Sequence, residues 1–230
     1  MKLLAVDTAT DACSVAILAG DEIFERSTLA PREHARLILP MVDELLAVAA
    51  VKLHGLDALA FGRGPGAFTG VRMAAGIVQG LALGAGLPVI GISDLAALAQ
   101  GAMRRRDWPA VLAALDARMG EVYWGAFWRG ADGLAYPAGT EMVVAPQDVT
   151  APPGDWRGAG PAWSVYGSAL SAAVIPDQQG EIEYEADCLP HAADVARLAA
   201  REFERGVRPS AEEALPVYLR DRVASRSPGL

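Results

Sequence analysis

Three strand-like runs, KLLAVDT, CSVAILA and DEIFERSTLA, follow one another across turns at Thr10-Asp11 and Gly20-Asp21 before the apolar period lengthens to that of a helix. From Pro31 to Ala50, the residues Leu37, Ile38, Met41, Val42, Leu45, Leu46 and Ala49 recur at helical spacing among Arg32, Glu33, Arg36, Asp43 and Glu44. A strand at Leu56 to Phe61, a glycine-rich loop, a helix from about Thr69 to Ala85, a strand at Leu87 to Ile92 and a helix from about Ser93 to Arg104 complete the order βββαβαβα. A meander followed by alternating helices and strands is the pattern of an α/β lobe.

After Asp107-Trp108-Pro109 the pattern restarts with VLAALDA, EVYWGAFW and a strand-like segment near Thr140 to Val144, and it closes with a helix at His191 to Arg205. Between them Ala145 to Gly167 is rich in Pro, Gly and Trp and has no period. We expect two tandem units, residues 1–106 and a smaller, less regular 107–230. An apolar fraction of 52% supports a proper core in each. Cys13 and Cys188 lie far apart without metal-ligand spacing and read as buried free thiols. No apolar run reaches the roughly 18–20 residues of a bilayer span, so a cytoplasmic chain is expected. A net charge of −8 works against unaided binding of nucleic acid, and Arg104, Arg105 and Arg106 read as a solvated linker.

The loop FGRGPGAFTGVR, Phe61 to Arg72, invites comparison with phosphate-binding loops. A Walker A loop needs a lysine followed by Ser or Thr, and no lysine stands between Phe61 and Ile92. A dinucleotide fingerprint fits Gly62, Gly64 and Ala67, but Pro65 removes a donor and the next acidic residue, Asp94, lies too far along. The remaining reading is a sharp turn in which Gly64 and Gly66 adopt special conformations and Thr69 caps the helix. Along that helix Gly76, Gly80 and Gly84 share one face. Each costs about 1 kcal/mol against alanine, so something must require a smooth stripe: either the lobe's own sheet or a partner. The expected partner face comprises His34, Leu37, Ile38, Met41 and Leu45 with Val71, Met73, Gly76, Ile77 and Gly80.

Catalytic groups are hard to find. There is no GxSxG or HExxH, His34, His54 and His191 are scattered, and Asp116, Arg118 and Glu121 read as a salt-linked strand and turn. The first hairpin, Asp7, Thr8, Ala9 and Thr10, has the place of a phosphate-binding Asp-x-Gly-Thr turn, with alanine where glycine is usual. Asp7, Thr8 and Thr10 are therefore the nucleotide-binding candidates, weakened by that methyl group. No catalytic residue and no metal ligand is assigned. A nucleotide-binding phosphotransferase or a peptidase is the alternative, although no residue set for peptide cleavage is visible.

The segments LAVDTATDACSVAIL, REHARLILPMVDELL, FGRGPGAFTGVRMAAGIVQGLALGAGLPVIGISDLAALA, LDARMGEVYWGAFW and LPVYLRD together resemble the TsaB (YeaZ) family. The resemblance implies a two-lobed actin-like (ribonuclease H-like) fold of tandem βββαβαβα-type domains, the second degenerate. It also implies a non-catalytic subunit that pairs with a TsaD-type catalytic subunit, with a TsaE-type ATPase, in threonylcarbamoylation of the adenosine beside the anticodon of tRNAs reading A-starting codons. Alone, such a chain would form a homodimer. It would meet tRNA only through the complex, no cofactor would be held tightly, and ATP/Mg would bind weakly or at the complex interface. The HxxxH metal pair of TsaD-like proteins falls here on Asp94 and Leu98, and Leu98 cannot ligate a metal. Gly158, Gly160 and Gly167 are the candidate remnants of an adenine-binding turn.

Overall fold

The computed structural model describes residues 1–175 and 182–220. Its first sheet has five strands: β1 (Lys2–Asp7), β2 (Ala12–Ala19), β3 (Glu22–Leu29), β4 (Ala58–Gly62) and β5 (Val89–Ile92). They lie in the order β3-β2-β1-β4-β5, antiparallel across the meander and parallel from β1 to β5. Two helices, α1 (His34–Val48) and α2 (Phe68–Ala85), connect them. The period of two places both faces of β1 in cores: Leu3 and Ala5 on one side, Leu4 and Val6 on the other.

The second sheet runs β11-β10-β6-β7-β8, built from β6 (Ala110–Arg118), β7 (Glu121–Arg129), β8 (Ala135–Pro137), β10 (Arg157–Ala159) and β11 (Tyr184–Glu185), with β9 (Met142–Val144) paired to β7. Read from the other edge, this is the strand order of the first sheet, so the expected repeat of architecture is present. The outer helix corresponding to α1 is missing, and a short 3-10 turn, Pro146–Asp148, stands in its place. Tryptophans fill the gap. Trp124, Trp156 and Trp163 are buried on this outer face, and their indole nitrogens donate to Thr150 O (2.9 Å), Pro152 O (2.6 Å) and Leu112 O (3.0 Å). The aperiodic stretch is thus a core built from large rings, with α4 (Ala162–Val174) starting in it.

The strands divide between the halves at residues 106/107, but the helices cross over. α3 (Asp94–Arg106) packs on β6, β7 and β8, whereas α5 (Ala192–Glu204) packs on β1, β2, β4 and β5. These two helices touch and share one apolar cluster with the inner faces of both sheets. Arg104 fixes the pair by a double hydrogen bond to the buried Asp194 at 3.0 and 3.1 Å, and Arg105 and Arg106 both reach Glu185. The arginine run is therefore the last turn of α3, held by ion pairs, rather than a linker.

Contrary to the sequence expectation, one helix among the described residues is long and apolar enough to cross a membrane: α2, with 18 residues and a mean hydropathy of 1.2. Here it packs on β4 as a crossover helix, with Val71, Ala74, Ala75, Val78 and Ala82 inward.

Candidate functional site

The turn after β1 carries the nucleotide-binding candidates, and each is already engaged within the chain. The Asp7 carboxylate is buried and accepts from Ala9 N at 2.9 Å. Thr8 Oγ1, also buried, donates to the Gly70 carbonyl at 2.7 Å, and Thr10 Oγ1 accepts from Ala12 N at 3.3 Å. The glycine-rich loop folds directly onto this turn: Ala67 N donates to Ala9 O at 2.7 Å. A Cβ at Gly70 would overlap the Thr8 carbonyl oxygen, and one at Gly66 would sit 2.5 Å from Ala9 O. The loop glycines therefore serve close approach of two backbones. Gly64 has a second reason: its φ is +103°, and a Cβ would meet Val217 O at 2.6 Å.

Thr69 does not cap α2. Ala67 is the capping residue, with no side-chain bond, because the loop's backbone is anchored on the hairpin instead. Ser93, at the start of α3, does cap its helix, accepting from Ala96 N at 3.2 Å.

Where β1, the loop and α3 meet, Asp7 and Asp94 form a buried carboxyl pair. Asp94 Oδ2 accepts from Gly64 N, while Asp94 Oδ1 and Asp7 Oδ2 have no donor among the described residues. Burial, then the Asp7 charge, raises Asp94 well above the carboxylate range, and burial also raises Asp7. Two carboxyls in this setting share a proton. Leu98, at the other position of the expected metal pair, lies in the central apolar cluster. Among the described residues no three His, Cys, Asp or Glu side chains converge as metal ligands. Both thiols are buried and pushed up to about 11, chiefly by burial.

A cleft of about 610 Å³ opens between the lobes, lined by Thr10, Asp11 and the loop on one side and by Asp116 to Met119 of the β6–β7 turn on the other. Two of the glycines read as remnants of an adenine-binding turn lie against aromatic rings. Gly158 faces the Trp163 indole and the Tyr184 Cβ, which a Cβ would meet at 2.5 and 2.7 Å, and Gly167 faces the Tyr184 ring at 3.3 Å.

The predicted partner face separates into two groups. Ile38, Leu45 and Val71 are interior, and His34 is nearly so, its Nε2 lying 2.9 Å from Thr10 O. These four pack inward and hold α1 and α2 to the sheet. The helical period alone does not separate the two apolar sides of α1; packing against the sheet does. Leu37, Met41, Met73 and Ile77 are half-buried, and Gly76 and Gly80 are exposed. A Cβ at Gly76, Gly80 or Gly84 would meet nothing within 4 Å among the described residues. The lobe's own sheet is therefore not what the smooth stripe accommodates.

The family model "TsaD: tRNA N6-adenosine threonylcarbamoyltransferase" matches residues 27–226. The chain is 43% identical over 228 residues to the tRNA threonylcarbamoyladenosine biosynthesis protein TsaB of Escherichia coli, covering 97% of this chain and 96% of that one. It is 40% identical to the TsaB of Haemophilus influenzae, covering 97% and 95%. The solved structure of YeaZ from Pseudomonas aeruginosa superposes with a TM-score of 0.87 at 47% identity, over 95% of this chain and 99% of that chain.

Proposed function

The chain belongs to the TsaB (YeaZ) family of tRNA threonylcarbamoyladenosine biosynthesis proteins, and on that premise we propose that it is a non-catalytic subunit docking a TsaD-type catalytic partner through the outer face of α1 and α2. The observation that carries this reading is the state of α2. The helix is apolar enough to span a bilayer, yet only 33% of its residues are buried, and its exposed side is smoothed by three glycines at which an added Cβ would meet nothing within 4 Å among the described residues. A helix with such a face gains by packing against another helix at close range. Leu37, Met41, Met73, Gly76, Ile77 and Gly80 form the contact, and in the partner's absence the same face pairs two copies of the chain.

The absence of catalysis is supported by the chemistry of the groups present. Leu98 offers no ligand at the metal position, and Thr8 and the hairpin backbone are committed to the glycine-rich loop. ATP and Mg, used by a TsaE-type ATPase, would meet this chain only weakly or at the complex interface. The tRNA would be reached through the catalytic subunit, in keeping with a net charge of −8. The setting is the cytoplasm, with no membrane partner. The test is reconstitution of tRNA threonylcarbamoylation with and without this chain: product should depend on it, and equal product in both would refute the assignment.

A further inference from the structure

We infer that residues 209–220 act as a clasp, locking the two lobes across the mouth of the cleft and coupling the exposed face of α2 to the second lobe. The coupling to a partner rests on the function proposed above; the clasp itself does not.

The segment is first bound into the first lobe. Val89 N donates to Pro209 O at 3.0 Å, extending the edge of the sheet beyond β5. Ala211 and Ala214 are buried in that lobe's core, and Gln79 of α2 donates to Ala214 O at 3.0 Å. Val217 N then donates to Arg63 O at 2.7 Å, at the place where Gly64 leaves room for the Val217 carbonyl. The next residue, Tyr218, sits beside α2: its hydroxyl accepts from Arg72 Nε at 2.6 Å, and its ring lies 5.7 Å from that of Phe68. Arg72 also lies over the Phe68 ring, 3.5 Å from its centroid.

Two residues later the segment reaches the other lobe. Arg220 donates to Ala117 O at 3.1 Å, pairs with Glu121, and has Nη1 2.9 Å from Met119 Sδ, so one guanidinium gathers both sides of the β6–β7 turn. Its side chain is only 16% exposed, and a guanidinium fork so enclosed is a directional tie rather than a loose surface pair. Val217 to Arg220 line the cleft itself, so the tie lies where the lobes would part.

Arg72 belongs to both systems. It is one turn before Gly76 and two before Gly80 on the same side of α2, and it holds Tyr218. A partner seated on the glycine stripe covers Phe68, Arg72 and Tyr218 and strengthens the seated clasp. By linkage, loosening the clasp must weaken the partner.

Hydrogen exchange on the full chain, with Arg220→Ala and Tyr218→Phe beside the native protein, tests the clasp. We expect Arg220→Ala to raise exchange about tenfold or more in residues 116–121 and 215–219 while β1 and β4 keep native protection, and Tyr218→Phe to do so more weakly. Unchanged exchange in the β6–β7 turn, or a uniform rise that includes β1 and β4, overturns the clasp. Titration with the TsaD-type subunit tests the coupling: Arg220→Ala should weaken binding about tenfold, and equal affinity overturns it. Failure of the native chain to bind that subunit refutes the proposed function and the coupling, and leaves the exchange comparison to decide the clasp.

Discussion

Thr8 and Gly70 illustrate how single residues set this chain's chemistry. The Thr8 hydroxyl and carbonyl both face Gly70, so a methyl group there must push the hairpin and α2 apart. Gly70→Ala should cost about 1–3 kcal/mol or more, read as a fall in the denaturant midpoint at unchanged slope. The Asp7–Asp94 pair predicts a pH effect of definite sign. Asp94 keeps its proton in the folded chain at a pH where the unfolded chain, with its ordinary value near 4, has released it. Its contribution is therefore greatest below about pH 4 and is lost as pH rises through the raised folded value. The facing groups are Asp7, Glu141, the Gly64 amide and, further off, His34 and His191. Asp94→Asn keeps the shape without the ionisation, so its melting temperature should fall less than the native chain's between pH 5 and pH 9; parallel curves would contradict the shared proton. His191 behaves similarly, because the hydrogen bond its Nδ1–H donates to the Glu25 carboxylate raises its value. Glu25→Gln should lower the His191 titration midpoint seen by NMR.

Elements with a strong period were legible in the sequence, and their environments were not. The β1–β5 strands and α1 to α3 stand within a few residues of where alternation and helical spacing place them, because each buries a regular face. Which face of α1 meets the sheet could not be read from spacing, since Ile38 and Leu37 are adjacent and both apolar. The stretch around Trp156 and Trp163 was illegible for a different reason: it is stabilised by rings filling the place of a lost helix, and such packing has no period. The glycine stripe of α2 stood out in the sequence because glycine in a helix interior carries a propensity cost that demands an explanation. Gly76→Ala and Gly80→Ala meet open space, so each should stabilise the isolated chain by about 1 kcal/mol, a rise of roughly 2–4 °C in Tm. A loss of stability would mean that the stripe is occupied within the chain.

At the scale of the whole molecule, two sheets of matching strand order share the layer of α3 and α5, and each half supplies the helix that covers the other's sheet. The halves thus cannot be separated along the chain without exposing a core. What the duplication retains is the architecture of an actin-like fold; its first hairpin is bonded to the glycine-rich loop, and Gly158 and Gly167 of the second lobe face Trp163 and Tyr184. Among the described residues the glycine-lined face of α2 is exposed, and the proposed role depends on it. The most direct measurement pairs the thermal stability of Gly80→Leu with its co-elution with a TsaD-type subunit. We predict a Tm within a few degrees of the native chain and loss of the complex; a folded Gly80→Leu chain that co-elutes as the native one does would contradict docking through α2.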